Sequence, residues 1–267
     1  MISERELRQA AGRLGLGVGQ TEHEYVMICA LDALTRTPPL SDSFCLKGGT
    51  ALRLGYFEDW RHSVDLDFTL LPDISRQHLQ ADLSRWFEQV EAIHGVQMTM
   101  SDYHAANGAI RMRVRFVGPL RHPNRLLFDL TLDEPVLLTP EPRPVIIDLF
   151  PALRPRVLMY QLEEIFAEKL RSILQRGKAR DYYDVWRLLG QKDEMLDLPV
   201  SRRLLDEKCR QKGIKAPEPS DFFLPTLLDG ASAYWSQDLL GQTPEGTLPA
   251  WDTVVAELEG LIDDFLV

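Results

Sequence analysis

The chain has 267 residues, 45% hydrophobic and 26% charged, the balance of an ordinary soluble globular protein with room for one large domain or two modest ones. No run of 18 or more apolar residues occurs, so no membrane span is expected. The charged, helix-like start from Met1 to Arg8 is unlike a signal peptide. The formal net charge of −10 argues at first sight against nucleic acid, but residues 188–267 hold fifteen acids against seven bases, a net of −8, which leaves −2 for the first 187.

Basic stretches lie within that near-neutral part: Arg111, Arg113, Arg115, Arg121 and Arg125, then Arg154 and Arg156, then Lys169 to Arg180. Such stretches suit a phosphate backbone, and equally suit a solvated face. Cys29, Cys45 and Cys209 show neither zinc nor disulfide spacing, which fits a reducing cytoplasm.

Capping-box patterns at Ser3/Glu6 and Thr21/Glu24 predict helices over about 4–13 and 22–36. Pro38-Pro39 ends the second. A short strand is expected at 44–46, a short helix at 50–56 and a strand at 64–70, broken by Pro72. Apolar residues at helical spacing follow over 75–93. Strands are expected at 96–103, 110–117, 126–132 and 145–149. In the second of these, Arg111, Arg113 and Arg115 alternate with apolar residues, so one face is buried and the other basic. The remaining segments, 161–175, 180–190, 200–212, 221–230 and 250–265, are helical. The order predicts an α+β class: an αβ domain over 1–152 and a helical domain over 153–267, joined near Pro151 to Pro155.

The segment from Lys47 to Phe68 is the richest in chemistry. A Gly48-Gly49-Thr50 turn leads into a helix, and an apolar strand then carries Asp65 and Asp67. Strand side chains alternate faces, so both carboxylates point the same way. Two carboxylates on a rigid strand, beside a turn with bare backbone amides, suit a metal bound to a phosphate chain. An isolated Asp-x-Asp also occurs on ordinary solvated edge strands. Asp129, inside another apolar strand, is a candidate third carboxylate for a two-metal site, in which the ions stand roughly 3.5–4 Å apart; Asp133 and Glu134 are alternatives. Lys169 lies on or beside the apolar face of its helix, where it either snorkels to water or points into a site. Asp181 and Asp184 share one face of the next helix, and one of them is accounted for as an N-terminal cap or dipole partner. The six His are scattered and no Ser-His-Asp or Cys-His order is persuasive; no Walker loop is present, since Gly48-Gly49-Thr50 lacks the Gly-Lys-Ser/Thr ending.

Lys47-Gly48-Gly49-Thr50-Ala51-Leu52, Arg61-x-Ser63-x-Asp65-Leu66-Asp67-Phe68, Glu168-Lys169-Leu170 and Arg180-Asp181-x-x-Asp184 together resemble the motifs of the AbiEii/AbiGii toxin family. That family includes the MenT toxins of mycobacteria and belongs to the DNA polymerase β-like nucleotidyltransferase superfamily. The motifs fall in the expected order within residues 44–187, and the last 75 or so residues carry no family signal. The resemblance implies a nucleotidyltransferase-like mixed sheet with flanking helices, and a helical lobe that brings Lys169 and Asp181 to the catalytic cleft. It implies an Mg²⁺- or Mn²⁺-dependent transferase that uses NTP and releases pyrophosphate. Family members are toxins of type IV toxin–antitoxin or abortive-infection systems, and those studied add nucleotides to the 3′ end of tRNA. NTP, tRNA and a cognate antitoxin are thus the implied partners, with a cytoplasmic location and no membrane.

Residue by residue, the resemblance makes Asp65, Asp67, Lys169 and Asp181 catalytic. Asp65 and Asp67, with Asp129, are the implied metal ligands. Gly48, Gly49, Thr50, Ser63 and Lys169 are the implied nucleotide contacts, and Lys47, Arg61, Arg180 and Asp184 support them. The superfamily's Gly-Ser pair is Gly-Gly-Thr here, which leaves open whether Thr50 supplies a hydroxyl. The alternatives are transfer to a protein or small molecule, or a non-catalytic binding protein of the same fold.

Overall fold

In the computed structural model, which describes residues 1–72, 76–147, 150, 153–190 and 195–266, the alternating segments pair into one seven-stranded mixed sheet. Its strands are β1 (Phe44–Lys47), β2 (Asp65–Leu70), β3 (Gln97–Ala106), β4 (Ala109–Val117), β5 (Pro123–Thr131), β6 (Glu141–Pro144) and β7 (Arg156–Met159). They lie in the order β3-β4-β5-β2-β1-β7-β6. β2 runs parallel to β5 and β1 parallel to β7, while the other neighbours are antiparallel.

The period of two divides the sheet into an apolar and a polar face. Phe44, Leu46, Leu66, Phe68, Leu126, Phe128 and Leu130 are buried on one side. Two helices, α2 (Val18–Leu34) and α4 (Leu79–His94), supply the cover there. Trp86 of α4 meets Phe44, Phe68 and Phe128 edge-on at centroid distances of 6.0, 6.1 and 5.5 Å, and its indole N–H donates to the Ala30 carbonyl of α2 at 2.8 Å. Truncation of such a fully buried ring costs about 3–5 kcal/mol, so this cluster fixes the register of β1, β2 and β5. The opposite face carries the polar residues. On it, cross-strand pairing sets Lys47, Asp67, Asp129 and Arg111 in one row over β1, β2, β5 and β4.

Between β1 and β2 runs α3 (Gly48–Ala51), which continues as a π-helical turn over Leu52–Tyr56. At the N-terminus, α1 (Glu4–Leu14) carries the expected Ser3/Glu6 capping box. The Thr21/Glu24 pattern is not a cap: α2 starts at Val18, with Gln20 reaching back to the Gly17 amide, and Thr21 and Glu24 are buried inside the helix. The strand expected at 145–149 is displaced to β6, whose Pro142 and Pro144 are tolerated because β6 is the sheet's edge. The end of that expected strand, the expected helix start at Ser75 and the first two residues of the expected junction from Pro151 to Pro155 lie outside the described residues.

The chain divides into two compact units, Met1–Tyr160 and Gln161–Val267. The second is helical: α5 (Leu162–Arg176), α6 (Ala179–Gly190), α7 (Leu198–Gln211), α8 (Pro225–Leu239) and α9 (Trp251–Leu266). The α5 helix packs on α6 and α7, and α6 on α8 and α9. Gly177, at φ 51°, closes α5 in the left-handed conformation that favours glycine. The helix expected at 221–230 is instead a 3-10 turn over Pro219–Phe223 followed by α8, which Pro225 starts at its first position. Edge contacts of Phe166 with Phe265 and of Tyr182 with Trp251, both at 5.3 Å, fill this unit's core. No helix among the described residues is long and apolar enough to cross a membrane.

Candidate active site

In the sheet unit, the two glycines of the turn touch the two later halves of the motif. Gly48 has φ 72°, and a Cβ there would stand 2.6 Å from the Asp67 Oδ2. A side chain at this position would be strained and would also displace the carboxylate. A Cβ on Gly49 would lie 2.9 Å from the Arg61 guanidinium and 3.3 Å from the Ser63 hydroxyl. The spaced motif pieces are therefore one packed cluster. The buried Thr50 hydroxyl donates to the backbone carbonyl of Asp65 and ties the turn to the start of β2.

Asp65 and Asp67 lie on the same face of β2 and are both half-buried. Lys47, opposite Asp67 in register, is buried, with its ammonium 3.8 Å from Glu134 and 5.5 Å from the centroid of the Tyr160 ring. Asp129 lies opposite Asp67 in the parallel pairing, and its Oδ1 is 3.3 Å from Arg111 Nε. Among the described residues, no group of three or more His, Cys, Asp and Glu is arranged to hold a metal ion. The donor chemistry of the pair nevertheless fits a hard divalent cation: Mg²⁺ is commonly held by one or two carboxylates together with substrate phosphates, and the Gly48 cradle keeps the space beside Asp67 clear.

Behind this face lies a buried ionic network that local sequence patterns did not reveal. Glu24 contacts Arg53 at 3.2 Å and His62 Nδ1 at 3.0 Å, and all three side chains are buried. Burial pushes the Glu24 carboxyl up, but His62 and Arg53 outweigh it and hold the group below its ordinary value. Arg53 also donates to the carbonyls of Glu58 and Trp60, so the network braces the loop that leads to Ser63 and Asp65. His23, one residue before Glu24, hydrogen-bonds Asn124 and lies within electrostatic range of Asp65; burial lowers its pKa.

In the helical unit, Lys169 is brought together with Asp181 and Asp184. Its ammonium is 3.2 Å from Asp181 Oδ1 and 2.7 Å from Asp184 Oδ2, while Arg176 approaches the other Asp181 oxygen at 3.1 Å. The two carboxylates are 2% and 0% exposed as side chains. Burial pushes Asp181 up, yet Lys169 and Arg176 bring it below the ordinary carboxylate value. Neither acid caps its helix: both point inward to the lysine. Arg180, next to this cluster in sequence, is half-buried. On another side of α5, Glu164 and Glu168 pair at 2.7 and 2.9 Å with Lys208 of α7, which is wholly buried.

These two sites can be set beside known proteins. A solved structure described as MenT4, a nucleotidyltransferase toxin from Mycobacterium tuberculosis H37Rv, superposes with a TM-score of 0.64 at 19% identity, over 100% of this chain and 89% of that one. The two share a nucleotidyltransferase fold. No curated protein matches the sequence. The model of the family described as nucleotidyl transferase AbiEii toxin, type IV toxin–antitoxin system, matches residues 30–257, so the family match runs on through most of the last 75 residues, where no family signal was expected. The chain belongs to that family and is a nucleotidyltransferase; membership implies an NTP substrate and an antitoxin.

Proposed function

We propose that this toxin transfers NMP from NTP to the 3′ end of an RNA, with tRNA the expected acceptor, in a reaction that requires a divalent cation. The observation that carries the reading is the side-by-side placement of Asp65 and Asp67 on one strand face, with Gly48 packed against the Asp67 carboxylate. Asp65 and Asp67 would hold Mg²⁺ or Mn²⁺, with Asp129 as a third ligand once it leaves Arg111. When bound, the cation would supply charge neutralisation at the phosphates and lower the pKa of the attacking hydroxyl.

The chain's own residues position the substrate. The Gly48-Gly49 turn admits phosphate oxygens to the backbone, Ser63 offers a hydroxyl, and Lys47 offsets negative charge at the end of β1. Arg61, buried against Gly49, keeps the turn in shape. For the helical unit we propose a role in the same reaction: Lys169 is a phosphate-binding cation, with Asp181 and Asp184 fixing its position and Arg180 in support. Most of the rate then comes from orientation and from fixed charge around the phosphates.

Labelled NTP, Mg²⁺ and total tRNA test the reading. Label transfer by the wild type, lost in Asp65→Ala and on addition of EDTA, is expected. No transfer, or equal transfer by Asp65→Ala, would overturn it. A labelled product that migrates as protein or small molecule would reassign the acceptor.

A further inference from the structure

We propose that the exposed face of β3, β4 and β5 is the surface along which the RNA's phosphate backbone lies as its 3′ end reaches Asp67. This inference rests on the RNA-acceptor reading above. The face is the polar side of the sheet, continuous with the site: the row Lys47–Asp67–Asp129–Arg111 crosses directly from the acids onto β4. Arg111, Arg113 and Arg115 stand two residues apart on one side of β4, and Arg125 joins them from β5. At about 3.4 Å per residue, neighbouring arginines on β4 are roughly 7 Å apart, a repeat suited to successive phosphates of an extended strand.

Three features make this face more than a solvated edge. First, it is open: the Arg111 and Arg113 side chains are 79% and 60% exposed, and Leu127, between Asp65 and Arg113 in register, is 45% exposed. An apolar side chain among arginines gives a base something to pack on. Second, Arg115 and Arg125 are direct cross-strand partners. Like charges placed opposite each other destabilise a sheet, and a bound polyanion relieves that repulsion. Third, the acids that hold these arginines hold them weakly. Arg111–Asp129 at 3.3 Å and Arg113–Asp102 at 3.5 Å are exposed pairs, worth about 0–1 kcal/mol, so a phosphate can take their place. The recruitment of Arg111 by a phosphate would also release Asp129 beside Asp67.

The positive charge is local, because the first 187 residues together carry a net of −2. That favours RNA that enters beside the acids over an acidic protein that covers a broad surface. The test uses the full chain and a fluorescein-labelled single-stranded RNA, read by anisotropy over a salt series. The triple variant Arg113→Ala/Arg115→Ala/Arg125→Ala should lose at least tenfold in RNA affinity. Its plot of log affinity against log salt should be shallower by about 2, from a slope contribution of roughly 0.7 per phosphate contact on single strands. NTP binding by calorimetry should be unchanged, the melting temperature should hold or rise slightly because the Arg115–Arg125 repulsion is gone, and the corresponding triple lysine variant should recover most of the RNA binding. Unchanged affinity and slope in the alanine variant would overturn the surface while leaving the transferase reading intact. Absence of RNA binding by the wild type overturns both the surface and the RNA acceptor. Arginine-dependent binding of poly-glutamate with RNA affinity untouched would assign the face to an acidic protein instead.

Discussion

Asp67 and Asp181 are both carboxylates in a family motif, and each neighbours a lysine, yet their surroundings differ. Asp67 is half-buried on a strand face, with a glycine packed against it and open polar residues alongside. Asp181 is buried, locked between Lys169 and Arg176. A carboxylate that receives a cation and a substrate needs access. A carboxylate sealed against two cations holds those cations in place. The difference fits the roles proposed above, in which the sheet acids do chemistry and the helical acids position a lysine.

Removal of one partner from the helical cluster should have the largest effect on stability. Asp184→Ala leaves the Lys169 ammonium short of a buried counter-ion and should cost about 3–5 kcal/mol in chemical denaturation. Glu24→Ala, which strands Arg53 and His62, should cost a similar amount. Near-neutral stability in either variant would break the assignment of these acids as holders. Gly48→Ala sharpens the sheet half: strain at positive φ should cost about 1–2 kcal/mol, while transfer falls much further because the new methyl displaces Asp67.

The acids and histidines also set a pH dependence. His23 and His94 have pKa values lowered by burial from 6.5. The unfolded chain therefore binds more protons in that window, and stability should fall as pH drops from above 6.5 through the folded values. His23→Gln should flatten that decline in a series of melting curves. Asp181 and Glu24 are depressed below 3.8 and 4.5, so their contribution is present above those values and is lost only at more acidic pH. The smallest effect is expected at Arg111→Ala, within about 1 kcal/mol, because its pair with Asp129 is exposed.

What was legible in the sequence was local or periodic. The alternation of Val64 to Phe68 placed both acids on one face, and helical spacing set Asp181 beside Asp184. Apolar flanks correctly marked β5 around Asp129. The Glu24 network was not legible, because its partner Arg53 is 29 residues away and the Thr21/Glu24 spacing imitates a cap. Lys208 was missed similarly, since it meets Glu168 only when α7 packs on α5, 40 residues later. β7 has only four residues and pairs with β1 more than a hundred positions earlier, so no local pattern announces it. The convergence of Gly49 with Arg61 and Ser63 was legible only as a shared motif; the contact itself depends on the loop fold.

The most direct measurement is label transfer from NTP to tRNA by Asp67→Asn, beside its melting temperature. The expected loss is about a hundred- to a thousandfold, the scale of removing one preorganised group from a transition state, with melting within a few degrees of the wild type. Transfer above a tenth of the wild-type rate in a folded Asp67→Asn protein would contradict it.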